Sequence, residues 1–366
     1  MANAGVGDIG KALTAMGFFG AKKLVAIDIG TSTVKLAEVE SGRSGATLKK
    51  FAVYPLGPGA VNAGEIVDGA QVSECISTLV KTTKVKTKLA ATGLWGASVI
   101  VKKISMPKME ANLVAEQIKW EAEQYIPFDV NEISLEHHIL SGRSAASESL
   151  EVLLVAAKQE FVFRFVETIE ASGLQCSVLD VSAFALANCF EANYGTLDAT
   201  VCLLNVGAGV TNMVVVDRGE VIFCRDISIG GNVYTSEINK MMGVSAGEAE
   251  SLKISASVGQ EVPAEVHNIL TNANEQVVDE IRNAFEFYSA TSSGASISRM
   301  YVSGGSIFVP GLIEQVSKSV TIPYEVFDPF LRMSYDTRAF TAEQIAQIKA
   351  ISPVALGLAM RKPGEP

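Results

Sequence analysis

The 366-residue chain is 48% hydrophobic and 19% charged, which excludes a disordered polymer and leaves room for two or three domains. Its formal net charge of −10 argues against a protein that grips nucleic-acid backbone as its main task. Five scattered cysteines form no C-x-x-C pair, so a disulfide scaffold is excluded and a reducing cytoplasm fits.

No apolar run reaches the roughly 18 residues of a membrane-spanning helix. Residues 1–23 are glycine-rich, lack a signal peptide's pattern and read as a mobile tail. The alternative is a short docking segment through Ile9, Leu13, Met16, Phe18 and Phe19. From Leu24, LVAIDIG is a buried strand ending in glycine, TSTVKLAEVE alternates as a second strand, and a third fits Ala46 to Tyr54. Pro55 to Gly64 is a loop, and Val72, Ile76, Leu79 and Val80 have helical spacing.

A second block, about 92–150, begins with a strand from Ala97 to Ile104. After Pro107, the stripe Val114, Ile118, Ala122 and Tyr125 predicts a helix that Pro127 ends, and Ser134 to Leu140 reads as a strand. SGRSAASES is a polar loop. From Glu151 the rhythm is strand, helix, strand, helix: EVLLVAA, a helix through Val162, Phe165, Val166 and Ile169, then CSVLD and VSAFALANCF. That rhythm predicts a parallel α/β sheet.

An internal repeat is the most informative feature. VAIDIGTSTVKLAEVE (25–40) resembles CLLNVGAGVTNMVVVD (202–217) at an offset of 177, placing Asp28 on Asn205, Gly30 on Gly207 and Lys35 on Asn212. Two similar domains that each offer a glycine turn are the simplest explanation. A hairpin then turns at Asp217–Arg218–Gly219, helices fit 232–242, 246–258 and 274–290, and RMYVSGGSIFVPGLIEQV reads strand, glycine turn, helix. TAEQIAQIKA and SPVALGLAM close the chain as helices.

Three glycine turns therefore follow strands: Gly30–Thr31–Ser32–Thr33, Gly207–Ala208–Gly209 and Gly304–Gly305–Ser306. Such turns bring backbone N–H groups to an anion without a side chain in the way, which points to nucleotide phosphate. Neither a Walker A motif nor G-x-G-x-x-G opens a helix. Asp28 is either a turn-capping residue or a Mg²⁺ ligand through water; Lys35 is a solvent-facing strand lysine or a phosphate contact. Asp180 is an N-cap or a group that orients water for attack on a γ-phosphate. The run Lys81, Lys84, Lys86 and Lys88 reads as solvated surface, and His137 and His138 face opposite sides of a strand and cannot readily share a metal.

IDIGTSTVK, LNVGAGVTN and SGGSIFVPGL resemble, in that order, the phosphate-1, phosphate-2 and adenosine motifs of the actin-like ATPase superfamily, from about Leu24 to Met360. FFGAKKLVAIDIGTSTVKLAEVE, IKWEAEQYIPFDVNE, LLVAAKQEFV and SPVALGLAMR resemble the PilM family of type IV pilus assembly. The resemblance implies an α/β, actin-like ATPase (ribonuclease H-like, duplicated) fold, two lobes around a nucleotide cleft with an FtsA-like small subdomain. Residues 24–91 with 151–200 would form the first lobe, 92–150 the small subdomain, and 201–366 the second lobe with helices inserted at about 232–298. It implies ATP and Mg²⁺ as cofactors and, residue by residue, Asp28, Gly30, Thr31, Ser32 and Lys35 at the first turn. Asn205, Gly207, Ala208, Gly209 and Thr211 match the second turn; Gly304, Gly305, Ser306 and Ile307 match the third; Glu250 and Lys253 match a nucleotide-contacting helix. Asp180, with Asp28 and Asn205, would face magnesium and water.

The family usually has aspartate where Asn205 stands, and the missing charge weakens Mg²⁺ affinity and water activation, so slow or absent hydrolysis is expected. The implied partner is the cytoplasmic tail of a PilN-like membrane protein, docked between the first lobe and the small subdomain. A PilO-like protein and the motor ATPases would follow indirectly, at the inner face of the inner membrane. Nucleic acid is not an expected partner, membrane contact would run through partners, and self-association stays open. A sugar-kinase-like enzyme and an FtsA-like division protein are the competing readings; the latter would normally carry a C-terminal amphipathic helix that Met360 to Pro366 does not provide.

Overall fold

The structure is a computed structural model describing residues 23–42, 45–140, 149–291 and 295–364. The expected N-terminal tail, apart from Lys23, and most of the polar SGRSAASES loop lie outside the described residues. Chain order in the first lobe is β1 (Val25–Ile29), β2 (Thr33–Gly42), β3 (Gly45–Pro55), the two-residue strands β4 (Val61–Asn62) and β5 (Glu65–Ile66), α1 (Gly69–Thr83) and β6 (Leu89–Leu94). The small subdomain follows with β7 (Val99–Pro107), α2 (Ala111–Tyr125), β8 (Ile133–Ile139) and β9 (Ser149–Lys158). The chain returns through α3 (Gln159–Ala171), β10 (Gln175–Val181) and α4 (Ser182–Tyr194).

The second lobe comprises β11 (Thr200–Val206), β12 (Thr211–Asp217), β13 (Glu220–Ile227), α5 (Asn232–Met242), α6 (Ala246–Ser257), α7 (Ala264–Thr291), β14 (Arg299–Ser303), α8 (Leu312–Val320) and β15 (Tyr324–Val326). β16 (Ser334–Tyr335), α9 (Ala342–Ile348) and α10 (Pro353–Ala359) follow. The repeat is visible in the sheets. One runs β3-β2-β1-β6-β10, with β16 added at its edge, and the other β13-β12-β11-β14-β15. In each, an antiparallel meander of three strands is followed by two parallel ones.

The alternation of each strand assigns its two faces. Val25, Ile27 and Ile29 pack with Ile76, Leu79, Phe161 and Phe165 of α1 and α3. The alternate residues Ala26, Ala91 and Val178 pack instead with Val201, Leu203, Val214 and Tyr301 of the second sheet, with α4 and α10 between. The outer face of the second sheet is covered by Tyr234, Val266, Leu270, Val277 and Ile281 from the helices α5 and α7. The layers are therefore helices, sheet, helices, sheet, helices, and the two sheets share one core.

Three boundaries differ from the sequence expectation. Thr92, Gly93 and Leu94 belong to β6 in the middle of the first sheet, and EVLLVAA pairs antiparallel with β7 and β8 rather than joining that sheet. In sheet terms the small subdomain runs from β7 to β9. β9 is the central strand of its three-stranded sheet, and residues of both its faces are buried (Val152, Leu154 and Ala156 on one, Leu153 and Ala157 on the other), so its sequence reads like a parallel core strand. α7 also starts ten residues before the expected 274, just after Pro263, because Val266, Ile269, Leu270 and Ala273 extend the buried stripe. Among the described residues no helix is long and apolar enough to cross a membrane.

Candidate functional site

The duplicated hairpins fold alike in detail. Gly30 N–H donates to the Thr33 carbonyl at 3.0 Å, and Gly207 N–H donates to the Val210 carbonyl at 2.9 Å. At the mouth of the first hairpin Asp28 sits opposite Lys35, whose Nζ donates to Asp28 Oδ2 at 2.9 Å. At the same place in the second, Asn205 sits opposite Asn212 and its Nδ2 donates to Asn212 Oδ1 at 2.9 Å. An ion pair in one half is an amide pair in the other.

Alternation puts Asp28 and Lys35 on the face of Ala26 and Ala37, and Asn205, Asn212 and Ser303 on the face of Leu203, Val214 and Tyr301. The polar ends of the two sheets thus face each other above the shared core. The turns themselves meet. A Cβ on Gly209 would stand 2.7 Å from Thr31 Oγ1 and 2.8 Å from its Cγ2, so only glycine lets the two turns approach this closely. Lys35 Nζ lies 3.9 Å from the place a Cβ on Gly30 would take, directly beneath the first turn. Ser32 is exposed at its tip, with its carbonyl accepting from Leu56 N–H.

The third turn closes onto the second. Gly304 has φ +95°, and a Cβ there would strike the Val206 carbonyl. Ser306 Oγ donates to the Gly207 carbonyl at 2.9 Å, and Ser303 Oγ donates to Asn205 Oδ1 at 3.2 Å. Gly305 and Ile307 lie in the single helical turn between β14 and α8, where Ile307 is buried. Gly231 N–H donates to the Gly207 carbonyl and Asn232 N–H to the Ala208 carbonyl, bringing the start of α5 to the same point. Lys253 of α6 reaches it from the other side: its Nζ lies 2.6 Å from Glu250 Oε2, 3.0 Å from Thr235 Oγ1 and 3.2 Å from the Gly231 carbonyl.

Two expected residues stand apart. Thr211 is fully buried on the far face of its strand, and its hydroxyl is spent on the Ile229 carbonyl at 2.8 Å. Asp180 is level with Gly93, on the same face as Asp28 but two strands away, about 10 Å at ordinary strand spacing. Its Oδ1 accepts from Val181 N–H at 2.8 Å, and its Oδ2 lies 3.5 Å from Arg361 Nε at the end of α10. Burial pushes the Asp180 carboxyl above its ordinary pKa, against the opposing pull of Arg361 and the Val181 N–H.

Sequence reading passed over Asp226. Its Oδ2 accepts from Gly96 N–H at 2.6 Å, across the lobes, and its Oδ1 accepts from Asn212 Nδ2 at 2.7 Å. A continuous chain of hydrogen bonds thus runs from Ser303 through Asn205, Asn212 and Asp226 to the base of the small subdomain. Burial raises the Asp226 pKa, and the two donors oppose that shift. Gly230–Gly231 was also passed over, although a glycine pair between a strand and a helix was the available signal. Nothing in the sequence tied Arg361 to Asp180.

The facing turns, the ammonium beneath the first and the glycine approaches suit a polyphosphate. The donor set for a metal does not suit an ion held by protein alone. Asp28 is paired with Lys35, Asp180 lies beside Arg361, Asn205 is neutral, and among the described residues no three His, Cys, Asp or Glu side chains come together for a metal.

Comparison with known proteins adds four findings. The family model described as type IV pilus assembly protein PilM matches residues 26–363. A solved structure titled as the PilM–PilN type IV pilus biogenesis complex contains a chain 27% identical, with a TM-score of 0.84, covering 95% of this chain and 100% of that one. The ethanolamine utilization protein EutJ from Carboxydothermus hydrogenoformans (14% identity, TM-score 0.54, covering 93% and 90% of the two chains) shares the fold. So does MreB5 of Spiroplasma citri bound to AMPPNP (12%, 0.50, covering 93% and 95%). The architecture is the two-lobed actin-like ATPase fold.

Proposed function

The chain belongs to the PilM family of type IV pilus assembly proteins, and from that premise we propose that it is a nucleotide-binding adaptor holding the cytoplasmic tail of a PilN-like membrane protein at the pilus assembly platform. The observation that carries the tail-binding half is the whole-chain likeness to a protein solved as a PilM–PilN complex. The nucleotide half rests on the two facing glycine turns, drawn together at Thr31 and Gly209 above the Lys35 ammonium.

In this reading Thr31, Ser32, Ala208 and Gly209 offer backbone N–H groups to phosphate oxygens, and Lys35 supplies the cation. Gly304–Gly305–Ser306 and the Glu250–Lys253 side of α6 border the nucleoside. ATP is the nucleotide of choice, and Mg²⁺ would arrive with its phosphates. Hydrolysis is slow or absent because the two carboxylates beyond the Asp28–Lys35 pair are engaged, Asp180 beside Arg361 and Asp226 under Gly96 N–H and Asn212. That feature favours an adaptor over a kinase, which needs a base open to its substrate.

The tail is assigned to the junction of the first lobe and the small subdomain. There Arg164 Nη1 donates to the Ile66 carbonyl, Ser98 Oγ donates to Glu65, and Gln159 Nε2 donates to the Asn131 and Ile133 carbonyls. Val67 and Phe163, each one residue from the Arg164 contact, are exposed and apolar. Contacts onward to a PilO-like protein and motor ATPases, and a place at the inner face of the inner membrane, belong to the same proposal.

Calorimetric titration of nucleotide-free protein tests it. ATP binding lost in Lys35→Ala, with turnover below about 1 s⁻¹, is the expected result. Binding of a PilN-like N-terminal peptide should fall at least about tenfold in Val67→Asp/Phe163→Asp, since each change places a charge at an apolar contact. Ordinary enzymatic turnover, or peptide affinity unchanged by both substitutions, overturns the corresponding half.

A further inference from the structure

The parallel strands β1, β6 and β10 run the same way, with β1 entering the first glycine turn at one end of the sheet, and their opposite ends carry an unusual concentration of lysine. Lys81 lies in the last turn of α1, and Lys84 caps that helix in the left-handed conformation. Lys86 and Lys88 follow in the loop to β6; all four are exposed. Lys50 Nζ donates to the Lys84 carbonyl at 2.6 Å, which joins β3 to the same surface. Lys23 enters beside Lys88, because Val25 is in register with Ala90.

The carboxylates at this end are mostly spoken for. Glu40 pairs with Lys23 at 2.8 Å and Lys49 at 3.6 Å, Glu38 pairs with Lys50 at 3.7 Å, and Asp336 pairs with Arg338 at 2.9 Å. Glu170 stands at the margin, at the end of α3. Among the described residues no carboxylate lies within ion-pair distance of Lys81, Lys84, Lys86 or Lys88, in a chain whose net charge is −10. Two of the four offset the negative end of the α1 dipole; the loop lysines do not serve that purpose.

We infer that this lysine-rich end of the first lobe is a docking face for the anionic headgroup layer of a membrane. Three features favour lipid over other polyanions. The cations on the exposed loop are all lysines, compact point charges suited to a diffuse negative surface rather than to bidentate recognition of a defined group. They sit on a helix end and a loop, not in a groove that would hold an acidic peptide. No exposed aromatic lies among residues 81–88 to stack a base. The inference stands apart from the nucleotide and tail-binding readings. Its geometric consequence is that the cleft, at the other end of a five-residue strand spanning about 17 Å, points away from the lipid.

Flotation of the full chain with vesicles decides it. The chain should float with phosphatidylcholine vesicles containing about 30% phosphatidylglycerol, stay behind with pure phosphatidylcholine, and be released as salt rises from about 0.1 to about 0.5 M. Lys81→Ser/Lys84→Ser/Lys86→Ser/Lys88→Ser should lower partitioning at least about tenfold with an unchanged thermal midpoint, and the fourfold Lys→Arg variant should retain it. Equal partitioning to neutral vesicles, or undiminished partitioning of the folded serine variant, overturns the inference. So does binding of polyglutamate or duplex DNA through these lysines with the anionic vesicles left untouched.

Discussion

The Asp28–Lys35 pair allows stability and binding to be separated in a single set of variants. At 2.9 Å the gross attraction is about 6 kcal/mol for an effective dielectric near 20, and desolvation cancels most of it. Lys35→Met keeps the apolar stem and leaves Asp28 without its cation. The side chains retain 16% and 10% of their exposure, so the cost should be about 2–3 kcal/mol, at the low end for a broken buried pair. Asp28→Asn should cost a similar amount, whereas the double variant, with neither charge, should lie within about 1 kcal/mol of the parent. In thermal melts of the nucleotide-free protein each single change lowers the midpoint by about 3–4 °C and the double change by far less. Calorimetry with ATP should give a different pattern. Both variants lacking the ammonium lose about 10- to 100-fold in affinity, and Asp28→Asn, which frees Lys35 from its partner, does not. Additive stability effects, with a coupling below about 0.5 kcal/mol, would refute the ion-pair argument; full ATP affinity in Lys35→Met would refute the phosphate role.

Gly209→Ala should weaken ATP binding by pushing a Cβ onto Thr31, and Thr31→Ala in the same chain should restore part of the loss, since it removes the atoms at 2.7 and 2.8 Å; calorimetry on both variants checks this. Gly304→Ala should cost about 3 kcal/mol or more in a denaturation midpoint, because a left-handed backbone and a collision with Val206 both oppose it, and no side-chain change can relieve either. Asp226→Ala leaves the Gly96 N–H and Asn212 Nδ2 without their acceptor and should destabilise by about 2–4 kcal/mol, with amide exchange at Gly96 as the local readout. The buried Asp180 carboxyl titrates above its unfolded value of 3.8, so its stabilising contribution is fully present below that pH and is lost as pH rises through the folded value. Melts across this window should be less pH-dependent in Asp180→Asn than in the parent.

The parts of the fold that were legible in the sequence are those whose cause is local. The hairpins at 25–40 and 202–217 announce themselves because a tight turn at a strand end calls for glycine, and because alternation fixes both flanking strands. The helix α2 was readable from its apolar stripe and the proline that follows. β6 was not: LAATGL is short and small-sided, because Ala90, Ala91 and Gly93 lie in the centre of the sheet under close-packed helices and a serine. β9 was read as a strand but assigned to the wrong sheet, since an apolar run records burial and not its neighbours. Of the site, the three turns, Lys35 and Lys253 were recoverable, as each lies within a motif. Asp226 and Arg361 were not, as each acquires its role from a partner more than a hundred residues away: Gly96 for one, Asp180 for the other.

The divergence of the two hairpins bears on mechanism. They share strand register, turn hydrogen bond and cross-strand pairing, so the difference between Asp28–Lys35 and Asn205–Asn212 reflects chemistry and not geometry. An ion pair holds an ammonium under a phosphate turn in a preset position. An amide pair can do something an ion pair cannot: each side chain both donates and accepts, so Asn205 accepts a hydrogen bond from Ser303 while donating one to Asn212, and Asn212 in turn donates to Asp226. Aspartate at 205 would face the Asn212 carbonyl oxygen at hydrogen-bond distance and break that sequence unless the amide turned over. In turning over, it would point its acceptor at Asp226. The neutral residue at 205 is therefore the one that keeps every member of the chain from Ser303 to Gly96 satisfied. Asn205→Asp should lower stability by about 1–3 kcal/mol and loosen the small subdomain at Gly96. If Asn205→Asp instead left the melting midpoint and Gly96 exchange unchanged, the amide chain would be incidental to the choice of residue at 205.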